Sequence, residues 1–345
     1  GTPESMRAGR IYIVYTFGGG AALLIGVAWL KALVGSVAFT EGGMLAPYVD
    51  AYATQLRFIF LLMIAGLGVK AALVPLHGWL PKAMVAPAPV SALLHAVAVV
   101  IAGAFGMVRV VYEVYGIEFS AKLGLLQPLA AVAAVTIGYG SVRALFQDEL
   151  KKRLAFSTVS QVSYIALGAA IVGPVATIGG IVHLVHQGLM KITLFFCAGN
   201  FAETLGVHHI SQMNGVGRRM PWTMAAFTLG SLGMIGVPPL AGFISKWYLG
   251  TGGLAAGKPW VIAILVTSSL LNAAYFLPII YRGWFQEAAE SGSDGPSSGN
   301  LETHWMLLFP PLLTALLALL AGLLADAPFS PLEWARLIAA REYHP

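Results

Sequence analysis

Charge is what this sequence has least of. Asp, Glu, Lys and Arg make up 10% of its 345 residues, hydrophobic types make up 58%, and mean hydropathy is +0.78. A soluble domain carries about 25% charged residues. A chain this long with so few cannot clothe itself in a water-compatible surface, which makes it an integral membrane protein. Cysteine is nearly missing as well. The single Cys197 excludes an intramolecular disulfide and any cysteine-based metal cluster within the chain. Strand-type alternation is absent: the apolar runs are hydrophobic all round, which argues for helices. Carboxylates are scarce inside those runs. Glu41, Asp50, Glu113 and Glu118 fall at their ends, and Glu203 closes the sixth as an interfacial or an exit group. The net charge of +5 does not indicate nucleic-acid binding, because the basic residues sit at the ends of apolar spans rather than on one face.

What is present is a series of spans. A membrane helix needs about 20 mostly apolar residues, and about nine such stretches occur, near 11–35, 55–75, 88–112, 123–146, 152–173, 174–201, 221–250, 259–283 and 305–325. The chain opens on Gly1 rather than Met, and residues 1–10 read as a polar loop, with the native start expected further upstream. Glu287 to Asn300 reads as a flexible Ser/Gly-rich loop. The tail from Asp326 to Pro345 is too polar to span and predicts a short interfacial helix around Trp334. Arg143, Lys151, Lys152 and Arg153 cluster in one short link, and Arg7, Arg10, Lys82, Arg218, Arg219 and Arg282 fall on the same side. The excess of basic residues marks that side as cytoplasmic, which puts the N-terminal end inside and the C-terminal tail outside a multi-pass inner (plasma) membrane protein.

Charged groups within apolar spans carry the functional information, since a lysine at the bilayer centre costs about 2.5–3.5 kcal/mol on insertion scales. Lys70 lies deep in the second span, with Pro75 five residues on interrupting the helix. Lys246 lies in the seventh, just past Pro238, Pro239 and Gly242. Two broken helices with a lysine beside each break point to a transport site between repeats. The alternative is that the prolines only kink their helices and the lysines snorkel. In the sixth span His183, Gln187 and Lys191 recur every four residues on one helix face, with His186 beside them. A metal site and a stripe of helix–helix hydrogen bonds are rival readings, but no carboxylate or cysteine nearby completes a ligand set. His95, in the third span, is either a satisfied core residue or a further relay member. Burial brings the protonated and neutral forms of such groups closer in free energy, so a row of them with water between can pass protons.

Four stretches, VKAALVPLHGWLPKAMVAPAPVSALLHA, LKKRLAFSTVSQVSYIALG, HLVHQGLMKITLFF and GVPPLAGFISKWYL, resemble the antiporter-like subunits shared by Mrp-type cation/proton antiporters, respiratory complex I and membrane-bound hydrogenases. The resemblance runs from about residue 1 to 285. It implies an all-α polytopic membrane helix bundle with inverted repeats and two broken transmembrane helices. The chain would be a single membrane domain, 1–345, matching helices 6 to 14 of the family: 1–112 the end of the first repeat, 123–285 the second, and 286–345 a loop, last helix and tail. It also implies proton-transfer roles for Lys70 as central carrier, for His95, for His183 and Lys191 in a His-x3-His-x3-Lys pattern, and for Lys246 towards the exit. Gln187 stands at that pattern's second histidine, with His186 one residue earlier. Ile101 replaces a lysine or threonine of several relatives. The family's fifth-helix glutamate, which pairs with the first lysine, has no counterpart. The implied function is proton translocation within a multisubunit complex, exchanged against Na+ in the Mrp manner. The alternatives are a proton-pumping subunit of a redox complex and a non-translocating scaffold. The expected partners are other membrane subunits, protons, Na+ and the lipid bilayer, and no nucleic acid. No cofactor, metal or catalytic residue is expected.

Overall fold

The computed structural model describes residues 2–287 and 302–343. The loop expected over Glu287–Asn300 therefore lies, beyond Glu287, outside the described residues. The expected polar loop at 1–10 is instead helix. Thr2 caps it by accepting the Ser5 amide, Pro3 takes the first helical position and Glu4 the first turn, so α1 runs over Pro3–Val34. These are strong start signals, and they outweigh the polarity of the segment. Next come α2 (Val49–Lys70), α3 (Ala88–Tyr115), α4 (Leu126–Leu145), α5 (Leu150–Ala170) and α6 (Pro174–Leu205). After them follow α7 (Pro221–Ile235), α8 (Ala241–Ala255), α9 (Trp260–Phe285), α10 (Trp305–Leu323) and α11 (Pro331–Tyr343).

Seven of these helices (α1, α3, α4, α6, α9, α10 and most of α2) are long and apolar enough to cross a membrane. The other two expected spans take different forms. Residues 221–250 are split into α7 and α8, of 15 residues each, because Gly236 to Leu240 leave the helix. The segment expected at 152–173 is α5, and its Ser157, Thr158, Ser160, Gln161 and Ser163 are fully buried. A helix wrapped by protein on all sides need not be apolar all round, so α5 departs from the hydrophobic pattern of its neighbours.

The bundle is organised around α6, which packs against α3, α5, α7, α8, α10 and α11. Small residues allow these approaches. A Cβ on Gly168 of α5 would sit 2.6 Å from the Gly180 Cα of α6, and one on Gly179 would sit 2.6 Å from the Leu249 amide of α8. Arg153 clamps α5 to its neighbours. Its guanidinium donates to the Gln147 and Tyr275 carbonyls at 2.8 Å and to the Leu145 carbonyl at 3.2 Å. The tail helix α11 folds back on this core. The Tyr343 hydroxyl accepts from the Gly173 amide at 2.7 Å and pairs with Thr177 Oγ1 at 3.0 Å, which in turn pairs with Tyr112 of α3 at 2.9 Å. Arg336 adds bonds to Tyr248, Glu333 and Asp326, and hydrogen bonding to the Tyr248 hydroxyl holds its guanidinium above the ordinary arginine range. Trp334 faces outward.

Candidate functional site

Pro75 has no N–H to donate and its ring would strike the carbonyl four residues back, at Ala71. Accordingly α2 stops at Lys70, five residues before the proline, and irregular backbone runs from Ala71 to Leu80. The freed groups find partners within the protein. Trp79 Nε1 donates to the Val69 carbonyl at 2.7 Å, the Leu73 amide to the Gly68 carbonyl at 2.9 Å, and the Val74 amide to Thr136 Oγ1 of α4 at 3.1 Å. The Val74–Pro75 and Pro238–Pro239 peptide bonds are cis.

At the second break α7 ends on Gly236, whose φ of 93° is open to glycine and strained for other residues. A Cβ there would also meet the Lys246 Cδ at 2.9 Å. Gly242 lies so close to the Gly233 carbonyl that no side chain fits. Lys246 reaches back from α8 into this gap. Its Nζ donates to the Met234 and Ile235 carbonyls at 2.9 and 2.8 Å and to Ser269 Oγ of α9 at 2.9 Å. The two carbonyls are orphan acceptors at the end of α7, where the helix dipole also favours a cation. Asn272 shares the Met234 carbonyl at 2.9 Å.

From Lys246 a row of polar side chains follows α6. The Tyr164 ring lies 5.7 Å from Lys246 Nζ and 5.1 Å from the His183 ring. His183 Nδ1 pairs with Ser245 Oγ at 2.7 Å. Lys191, two turns on, donates to Ser157 Oγ and to the Leu154 carbonyl, the latter at 3.3 Å. His95 lies against Phe195, ring centres 4.7 Å apart, one turn beyond Lys191. It sits in a π-helical stretch of α3, Leu94–Ala98, a distortion that recurs at functional sites. His95, His183, His186, Gln187 and Lys191 are fully buried, and Lys246 is 9% exposed.

Six of the seven expected polar site residues thus gather along α6 and its neighbours. Lys70 does not join them: it is exposed at the end of α2, its Cβ against Gly103 of α3. Helix α2 ends at this residue, and among the described residues nothing encloses the side chain. Pro75, Pro238, Pro239 and Gly242 all lie at the two breaks. Ile101 packs beside Gly188, one residue from Gln187, where an apolar side chain fills the contact.

The row has a property that spacing did not reveal. Both ring nitrogens of His95 and His186, Nε2 of His183, both amide atoms of Gln161 and Gln187, and the Tyr164 hydroxyl are buried without a protein partner. Buried polar atoms are paired in folded proteins, to water where not to protein. Ser157, Gln161 and Tyr164 were not found from the sequence. They lie on one face of α5, opposite α6, and the signal was the polar run STVSQVSY within an apolar chain. Missed too were His77 in the first break, packed edge-on to Tyr139 at 4.8 Å, and the hydroxyl chain Ser160–Ser141–Ser268 at 2.8 and 3.2 Å. Glu203 is exposed at the mouth of a hollow of about 430 Å³ with Glu149, Lys151 and His208. Among the described residues no third His, Cys, Asp or Glu joins His183 and His186 to form a ligand set.

A polytopic helical bundle with two interrupted helices and a buried row of bases belongs to the antiporter-like class of membrane subunits. Residues 1–272 match the family described as NADH:quinone oxidoreductase/Mrp antiporter, transmembrane, and the chain belongs to that family. It is 37% identical over 333 residues to NADH-quinone oxidoreductase subunit N of Desulforudis audaxviator, covering 94% of this chain and 66% of that protein. It is 28% identical over 333 residues to a Na(+)/H(+) antiporter subunit of Bacillus subtilis, covering 94% and 64%. The chain thus spans less than two thirds of the length of these relatives. Its fold matches a chain in the Mrp complex from Dietzia sp. DQ12-45-1b with a TM-score of 0.86 at 24% identity, covering 100% of this chain and 69% of that one.

Proposed function

We propose that this chain moves protons through the membrane along the row Lys246–Tyr164–His183–His186/Gln187–Lys191–His95, as one subunit of a multisubunit complex. The observation that carries the proposal is the set of buried donors and acceptors on α3, α5 and α6 that lack protein partners. Water bridging them would join bases that can each hold or release a proton, which is what a relay requires. The broken helix at Gly236 gives Lys246 a fixed acceptor set at one end. Ser157 gives Lys191 a hydroxyl partner in the middle. Lys70 would act from the far side of α3, where its head is free to meet a carboxylate from another helix.

The first reading of what drives the protons is exchange against Na+, as the name of the Bacillus subtilis relative describes for that protein. Within the row there is no carboxylate to coordinate Na+ among the described residues, so the cation would cross elsewhere in the complex. A second reading, proton pumping driven by a redox partner, is favoured by the 37% identity to a quinone oxidoreductase subunit. We take the side carrying Arg143 and Lys151–Arg153 as cytoplasmic.

Reconstituted with its complex in sealed vesicles, the Lys191→Ala protein should lose proton flux by at least about tenfold while the complex still assembles on native gels. Undiminished flux in Lys191→Ala would turn the row into a structural feature. Flux started by a Na+ gradient favours antiport, and flux started only by reductant favours the redox reading.

A further inference from the structure

We propose that the molecule binds an anionic phospholipid beside α1, its phosphate held by Arg7, Lys82 and Lys152 and an acyl chain lying in the adjoining groove. Two neighbouring hollows make the site. One, of about 350 Å³, is lined by Arg7 and Glu4 of α1, Lys82 of the segment after the first break, and Lys152 of α5. The other, of about 410 Å³, shares Ala8 and Val85 with the first and continues along Gly9, Tyr12 and Leu94. The first hollow is basic. Three cations and the single Glu4 carboxylate line it, and Lys152 is shared with Glu149 at 2.6 Å. Arg7 and Lys82 form no ion pair among the described residues.

The second hollow is apolar apart from Ser5 and the Tyr12 hydroxyl, and a Cβ on Gly9 would meet nothing within 4 Å, so its floor is open. Basic pockets between membrane helices take lipid headgroups, and an anionic headgroup gains from each nearby Lys or Arg. A free phosphate would use only the basic hollow. The joined pair of hollows fits a molecule with a charged head and a hydrocarbon chain. The groove also leads to the first break: Tyr12 meets Trp79 edge-on at 5.3 Å, and Trp79 holds the Val69 carbonyl next to Lys70. An acyl chain packed on Tyr12 would therefore brace the break.

The experiment is carried out on the purified protein, exchanged into phosphatidylcholine and detergent. It is titrated with cardiolipin, phosphatidylglycerol, phosphatidylcholine or inorganic phosphate, with melting temperature and lipid retained in native mass spectra as readouts. The anionic lipids should raise the melting temperature and stay bound. Arg7→Gln/Lys82→Gln/Lys152→Gln should bind them at least tenfold more weakly, with phosphatidylcholine binding unchanged. Gly9→Leu, which fills the groove and alters no charge, should weaken anionic lipid binding as well, and it decides the matter if the triple variant does not fold. The proposal is overturned by equal retention in wild type and variants, or by phosphate stabilising as well as phosphatidylglycerol does. It is overturned equally by a Gly9→Cys cross-link to another polypeptide in native membranes, which would mean that protein covers the groove.

Discussion

A lysine beside a broken membrane helix can rest on the freed carbonyls or stay open to a further partner, and this chain has one of each. Lys246 docks on the carbonyls that the break sets free, while Lys70 is the last residue of its own helix and is exposed among the described residues. The spacing of Lys to Pro placed both residues at breaks but could not distinguish these outcomes, because the direction of each side chain depends on which neighbours surround the break. Tyr164 was harder still to find, since a tyrosine in a helix is ordinarily core. In the fold its ring lies between Lys246 and His183, and its buried hydroxyl has no protein partner. Tyr164→Phe keeps the ring and removes an unpaired polar atom. Its melting temperature should be unchanged or higher. Proton flux in vesicles should nonetheless fall severalfold, because the hydroxyl both accepts and donates; unchanged flux would remove this residue from the relay.

At the scale of the element, the first break depends on what satisfies its backbone. The Val69 carbonyl is buried and its indole donor comes from Trp79, ten residues along the chain. Trp79→Phe leaves that carbonyl with only the longer 3.2 Å bond from the Ala72 amide, which should cost about 0.5–1.5 kcal/mol and lower the thermal midpoint in detergent. The tail helix α11 carries a different liability. Glu342 is held above the ordinary carboxylate range, first by burial and then by the nearby Glu113 and Glu41, with the Gly42 amide and Arg109 opposing the shift. A raised value in the folded state means that docking of α11 is favoured while Glu342 is protonated and weakens as pH rises through that value. Hydrogen exchange over residues 331–343 should therefore be slower at pH 4.5 than expected from the intrinsic rate, and faster protection loss should appear towards pH 7. Glu342→Gln should abolish the difference. The helix itself was legible around Trp334, but its docking was not, because Tyr343 reaches Gly173 and Thr177 across 170 and 166 residues of chain.

For the whole molecule, the unusual element is the polar helix at its centre. Helix α5 can carry Ser157, Gln161 and Tyr164 because α4, α6 and α3 enclose it, and Arg153 locks that position by binding three carbonyls from outside α5. Lysine cannot reproduce a planar fork with several donors. Arg153→Lys should accordingly destabilise the bundle by about 2–3 kcal/mol, read as a lower midpoint in detergent denaturation. It should leave Lys191 and Lys246 chemically intact.

Composition determined the membrane class and the helical architecture, because lipid admits few backbone solutions, and Pro75 and the Pro238–Pro239 pair marked the two breaks, although Pro278, Pro310 and Pro311 stand inside continuous helices. The four-residue spacing on α6 also put His183, Gln187 and Lys191 on one face. Only the tertiary structure decided that α5 is buried all round, that Lys246 caps α7, and that Gln161 and Tyr164 lie buried beside the α6 residues. Each of these depends on which helices lie side by side. Local sequence fixes the direction of a side chain relative to its own helix, whereas its neighbours come from packing between segments up to a hundred or more residues apart.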